Sequence, residues 1–154
     1  MYLAKCEIDQ KVCALKFIKK DSITSAKKAK MLENEKEILF TINSPHLVDL
    51  FYAFETLNYI VFGLEYCPNN NLYNFIRKNK QLTEEDAKYI FSEILNGVEY
   101  LHHNNILFRD IKLENILFDY NGKIKITDFG LSKPELGEDE ITYSYCGSPE
   151  YMAP

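Results

Sequence analysis

Period-two alternation opens the chain. Val12, Ala14, Lys16 and Ile18 fall on one face of an extended segment, and residues 2–8 read as its partner strand across a turn at Asp9-Gln10. From 25 to 42 the period lengthens: Ala29, Leu32, Leu39 and Ile42 recur at helical spacing, with Glu35 one turn from both Leu32 and Leu39. An acid on that apolar face requires a partner. Ser44-Pro45 ends the helix, and 48–54 and 59–66, rich in aromatic and β-branched residues, predict two more strands. The first part of the chain is thus a small antiparallel sheet with one helix.

A shift in composition at Cys67-Pro68-Asn69-Asn70-Asn71 predicts a hinge between this part and a helix-rich second part. Thr83 followed by Glu84, Glu85 and Asp86 is a helix start of the capping-box kind, and Ala87, Ile90, Phe91, Ile94, Val98 and Leu101 supply a wide apolar stripe behind it. Short apolar runs at 115–118 and 123–127 are joined through Asp119-Tyr120-Asn121-Gly122, where Asn-Gly signals a hairpin turn. A loop rich in charge and hydroxyls follows at 131–145. The fold class expected is α+β in two lobes, with 1–66 forming the sheet lobe and 67–154 the hinge and the start of a mainly helical lobe.

Composition narrows the function. A chain of 154 residues with 46% hydrophobic and 27% charged residues is one ordinary globular domain. No apolar stretch approaches the ~18 residues of a membrane span, and Lys5, Glu7 and Asp9 leave no room for a signal-peptide core, so the cytoplasm is the expected location. A net charge of −5 offers no general attraction to nucleic acid phosphates. Cys6, Cys13, Cys67 and Cys146 are scattered without a C-x-x-C pair, which points to reduced thiols rather than a zinc site or a disulfide framework.

Four features stand in a fixed order: Val12-Cys13-Ala14-Leu15-Lys16, Glu35 in a helix, Phe108-Arg109-Asp110-Ile111-Lys112-Leu113-Glu114-Asn115, and Asp128-Phe129-Gly130. Together with the closing Gly147-Ser148-Pro149-Glu150-Tyr151-Met152-Ala153-Pro154, they resemble the signature set of eukaryotic protein kinases of the serine/threonine, AGC-like type. Taken singly, a strand lysine is usually a solvated edge residue and a loop Asp or Asn a turn former. The joint order and spacing are what set these residues apart.

The resemblance implies an ATP- and Mg²⁺-dependent transfer of phosphate to a Ser or Thr hydroxyl of a protein substrate. Lys16 would reach the α- and β-phosphates and pair with Glu35, and the small Ala14 beside it would leave room for adenine. Glu65 and Cys67 would bind the adenine edge through their backbone, Leu64 would guard the back pocket, Leu72 and Leu117 would sandwich the ring, and Asn71 would contact ribose. Asp110 would orient or accept the substrate hydroxyl proton. Lys112 would contact the γ-phosphate, and Asn115 and Asp128 would bind Mg²⁺. Ser144 would be an activation phosphosite, modified by an upstream kinase and read by Arg109 and Lys133; Ser148 is expected to contact Asp110 and Lys112 instead. Phe108, where the family has His, would fill the same apolar column with Phe129, Leu39 and Leu50.

No G-x-G-x-x-G occurs in the chain, and the A-P-E triplet is represented only by Ala153-Pro154. The chain therefore resembles a kinase domain truncated at both ends, which would expose the stripe on 87–101. A catalytically inert kinase-like binding module is the alternative.

Overall fold

The computed structural model describes residues 1–134 and 146–152. Strands β1 (Tyr2–Lys5), β2 (Val12–Lys19), β3 (Leu50–Glu55) and β4 (Tyr59–Glu65) form one antiparallel sheet in the order β1-β2-β4-β3. Helix α1 (Ala26–Thr41) lies between β2 and β3 in the chain. Beyond the hinge come α2 (Leu72–Asn79), α3 (Glu84–His103) and a hairpin of β5 (Ile116–Phe118) and β6 (Ile124–Ile126). No helix among the described residues is long and apolar enough to cross a membrane.

The first hairpin is tighter than its alternation predicts. Strand β1 ends at Lys5 rather than at Ile8, and the chain turns through 7–9 into Gln10, a non-glycine residue at φ 61°. Register pairs Ala14 with Leu64 and Lys16 with Phe62, so Ala14 and Lys16 share the sheet face that carries Phe62 and Leu64, both buried. Helix α1 starts where Ser25 accepts a hydrogen bond from the Lys28 amide at 3.3 Å, and it buries Glu35, Ile38 and Leu39.

Helix α2 is absent from the sequence reading, which took 67–71 only as a hinge. Asn71 caps it, accepting from the Asn74 amide at 2.9 Å, and Leu72 anchors it in the core. Thr83 caps α3: its hydroxyl oxygen accepts from the Asp86 amide at 3.1 Å, and its O–H donates to the Asp86 carboxylate at 2.6 Å, so the Asp86 side chain meets the cap's hydroxyl rather than its backbone N–H. The buried line of α3 is narrower than the predicted stripe. Ile90, Gly97 and Leu101 are buried and Ile94 and Val98 are half-buried, but Ala87 and Phe91 of that stripe stand in solvent, Phe91 at 62% exposure. Gly97 brings α3 close to the hairpin, since a Cβ there would lie 2.8 Å from Ile126 Cδ1 and 3.3 Å from His46 Cβ.

The β5–β6 turn uses Asp119 as its organiser. Its Oδ1 accepts from the amides of Asn121 and Lys123, each at 2.8 Å, and Gly122 takes φ 77°. One apolar core runs through both lobes, joining Ile38, Leu39, Val48, Phe62 and Leu64 to Leu101, Ile116, Ile124, Ile126 and Phe129. The described residues therefore hold the two lobes as a single packed body.

Candidate active site

Lys16 sits mid-strand in β2, with its side chain 28% exposed. Its Nζ meets Glu35 Oε1 at 2.6 Å and Asp128 Oδ1 at 3.1 Å. The buried acid of α1 thus has its partner. Burial pushes the Lys16 ammonium toward neutrality, but the charges of Glu35 and then Asp128 outweigh it and hold its pKa above the ordinary lysine value. The shallow cavity at this place, about 260 Å³, is lined by Lys16, Met31, Leu32, Glu35 and Gly130. A larger concavity of 690 Å³ lies far from this chemistry, against Leu95 and His102 of α3, and carries no charged cluster of the predicted set.

A second cluster surrounds Asp110, which is 5% exposed. Lys112 Nζ meets its Oδ2 at 2.6 Å, Asn115 Nδ2 donates to its Oδ2 at 3.1 Å and to its carbonyl at 2.9 Å, and the Ser148 hydroxyl donates to its Oδ1 at 2.9 Å. Burial pushes the Asp110 carboxyl up, yet the Lys112, Ser148 and Asn115 bonds outweigh that and hold it below the usual carboxylate range. Lys112 is raised above its ordinary value by its bond to Asp110. Gly147 is what seats Ser148 here. It takes φ 110°, and a Cβ there would lie 2.7 Å from the Arg109 carbonyl oxygen.

The two clusters meet through the backbone. Thr127 N donates to the Asn115 carbonyl at 3.0 Å, which puts Asn115 beside the strand end that carries Asp128. Asp128 and Arg109 both adopt left-handed backbone, φ 67° and 63°, a conformation held against its local cost only by surrounding structure. The ring of Phe129 is buried edge-to-face on Phe108, centroids 5.6 Å apart, so Phe108 fills the apolar column as expected.

Divalent-cation binding is compatible with this donor set. Both hydrogen bonds of the Asn115 side chain are donated by Nδ2, leaving Oδ1 as a ligand atom, and the Asp128 side chain is 48% exposed. Among the described residues no group of three or more His, Cys, Asp or Glu side chains could hold a metal alone. One carboxylate and one amide oxygen suit Mg²⁺, which takes few protein ligands and completes its shell with water and phosphate oxygens.

At the hinge, Leu64 is buried, Leu72 is 3% exposed and Leu117 is half-buried; Asn71 bridges to Leu117 across the backbone. Asn71 spends its side-chain oxygen on capping α2, which leaves only its amide nitrogen to reach a sugar. Burial, then the Glu65 charge, pushes the Cys67 thiol up to about 12. Glu65 itself is ion-paired with Lys125, a contact that sequence reasoning missed because β6 looked like a plain apolar run.

Leu107 and Lys133 form a backbone bridge, and Arg109 Nε donates to the Leu131 carbonyl at 2.8 Å, so the segments that carry the two cations predicted to read a phosphate, 107–109 and 131–133, lie against one another. Ser144 lies outside the described residues.

Comparison with known proteins places the chain among protein kinases. The chain is 38% identical over 148 residues to human "NUAK family SNF1-like kinase 2", covering 96% of this chain and 23% of that protein. It is 40% identical over 155 residues to "Protein kinase C-like 1" of Candida albicans, covering 99% and 14%. Against "Serine/threonine-protein kinase akt-2" of Caenorhabditis elegans it is 36% identical over 152 residues, covering 99% and 29%. The chain thus spans less than a third of the length of each of these relatives. Because the family model "Protein kinase domain" matches residues 1–154, the whole of the chain, the chain belongs to the protein kinase domain family.

Proposed function

We propose that the chain carries the active site of an ATP- and Mg²⁺-dependent serine/threonine protein kinase. The observation that carries this reading is Lys16 bound at once to Glu35 and Asp128, together with an Asp110 already hydrogen-bonded to the Ser148 hydroxyl. Asn115, through Oδ1, and Asp128, through its carboxylate, would hold Mg²⁺, which when bound neutralises charge on the transferring phosphoryl group. Lys16 binds and orients the phosphates of the nucleotide, and Glu35 fixes where its ammonium points. Ala14, Leu72, Leu117 and the backbone of Glu65 and Cys67 form the adenine site, with Asn71 near the sugar.

Asp110 receives the acceptor hydroxyl. The Ser148 contact at 2.9 Å supports an alcohol O–H donating to Oδ1. A carboxylate held below its ordinary pKa is a weak base, so Asp110 contributes mainly by aiming the hydroxyl oxygen and takes its proton as that oxygen bonds to the γ-phosphorus and the bond to the departing ADP oxygen breaks. Lys112 meets the terminal phosphate from the same side.

Regulation belongs to the same reading: phosphate placed on Ser144 by an upstream kinase would pair with Arg109 and Lys133 and order the segment leading to Ser148. The proposal includes a protein substrate and a cytoplasmic location.

The test is phosphate transfer from ATP to Ser- and Thr-containing peptides, with and without a chelator. Activity that needs the metal and disappears in Asp110→Asn supports the proposal. Metal-independent transfer, or an Asp110→Asn variant as active as the parent, refutes it. Nucleotide binding without any transfer identifies an inert kinase-like module.

A further inference from the structure

We propose that Lys125 is a positioning residue for nucleotide binding: its sheltered ion pair with Glu65 fastens the end of β4, which carries the adenine-facing backbone, to the strand leading into Asp128. This deepens the kinase reading above and rests on it. Lys125 is the middle residue of β6, where register places it opposite Leu117, and its side chain is only 9% exposed. Its Nζ meets Glu65 Oε2 at 2.9 Å and donates to the Leu47 carbonyl at 3.2 Å. The same Oε2 accepts from the Asp49 amide at 3.4 Å, while the Glu65 amide donates to the Asp49 carbonyl at 2.8 Å. On the other side, Val48 N donates to Ile126 O at 3.0 Å and Ile126 N to His46 O at 2.8 Å. Residues 46–49 are therefore clasped between β6 and the end of β4, with the ion pair as the clasp.

A sheltered ion pair is poor evidence of added stability, because apolar residues of similar volume often serve as well or better. Directional charge-assisted bonds, by contrast, admit one geometry. That geometry matters here because of where the pair sits. Glu65 lies at the adenine edge, two residues before Cys67, and Lys125 lies three residues before Asp128. Loosening the pair lets the adenine-binding backbone shift relative to the phosphate and metal ligands.

The experiment measures dissociation constants of the 154-residue chain for Mg-ATP and for adenosine, which has no phosphates, by calorimetry. Melting temperatures and amide hydrogen exchange at 65–67 are read in parallel. The variants are Lys125→Met, Glu65→Gln, the double variant and Lys125→Arg, with Lys16→Ala as the phosphate-site reference. The double variant leaves no uncompensated charge, so it is the folded comparison. The expected result is a loss of about tenfold for both ligands in Lys125→Met, no further loss in the double variant, partial recovery in Lys125→Arg and faster exchange at 65–67. Lys16→Ala should weaken Mg-ATP and spare adenosine.

An unchanged adenosine affinity in the folded double variant overturns the inference, as do fully additive single losses. In either case the kinase reading survives, provided Lys16→Ala behaves as stated. A parent chain that binds neither ligand removes the kinase reading and this inference with it.

Discussion

Lys16 shows how one side chain acquires a fixed position from its neighbours. A strand lysine in water has no special role, but at 2.6 Å from Glu35 and 3.1 Å from Asp128 its position is fixed to within a hydrogen bond. In peptide phosphorylation, Lys16→Ala and Asp128→Asn are each expected to lower turnover at least a hundredfold, about 3 kcal/mol of transition-state stabilisation. Near-parental turnover in either variant would contradict the assignment. The pH behaviour follows from the directions of the shifts. Lys16 has its folded pKa raised, so the stability it contributes is complete below the ordinary value of 10.5 and is lost as pH rises through the higher folded value. Asp110 has its folded pKa lowered, so its contribution is present above the ordinary 3.8 and is lost as pH falls through the lower folded value. Between those limits neither group titrates. Nucleotide affinity measured from pH 5.5 to 9 should therefore show no step that Asp110→Asn or Lys16→Ala removes.

At the scale of elements, the site depends on how closely α3 approaches the β5–β6 hairpin. Gly97 sets that approach, since a Cβ would stand 2.8 Å from Ile126 Cδ1. A Cβ also meets His46 Cβ at 3.3 Å, so alanine already requires both neighbours to give, and the further carbons of a branched residue demand more. Gly97→Val is expected to destabilise the chain by about 1–3 kcal/mol, the usual range for overpacking, and to weaken Mg-ATP binding because β6 runs directly into Asp128. Denaturant unfolding and calorimetric titration check the two effects, and an unchanged midpoint with unchanged affinity would show that α3 and the hairpin tolerate separation. The element boundaries were largely legible. The period of 3.6 over 25–42 and the Thr83 capping box marked α1 and α3 because both signals are local. Helix α2 escaped notice because three consecutive Asn residues read as a turn, although Asn71 also caps a helix whose Leu72, Phe75 and Ile76 recur at helical spacing.

For the molecule as a whole, a core continuous through both lobes makes nucleotide binding a matter of global stability. A ligand that binds only the folded state at one hundred times its dissociation constant adds about 2.7 kcal/mol. Thermal melts of the chain with Mg-ATP should therefore rise with ligand concentration, and those of Lys16→Ala should rise much less at the same concentrations. Equal shifts in both would place the nucleotide elsewhere than at Lys16.

The amino-acid sequence by itself determined the kinds of residue available and their order along the chain: a strand lysine, a helical acid, the Asp110, Lys112 and Asn115 group, and Asp128-Phe129-Gly130. These are legible because short-range spacing and motif order survive without any knowledge of packing. Only the tertiary structure decided which of them meet. Lys16 and Asp128 are far apart in the chain, and nothing local in either segment encodes a contact that arises from packing a sheet and a helix against a distant hairpin. The same holds for Lys125 and Glu65. Each looks like an ordinary strand charge until folding removes it from water, and burial then makes the choice of partner decisive.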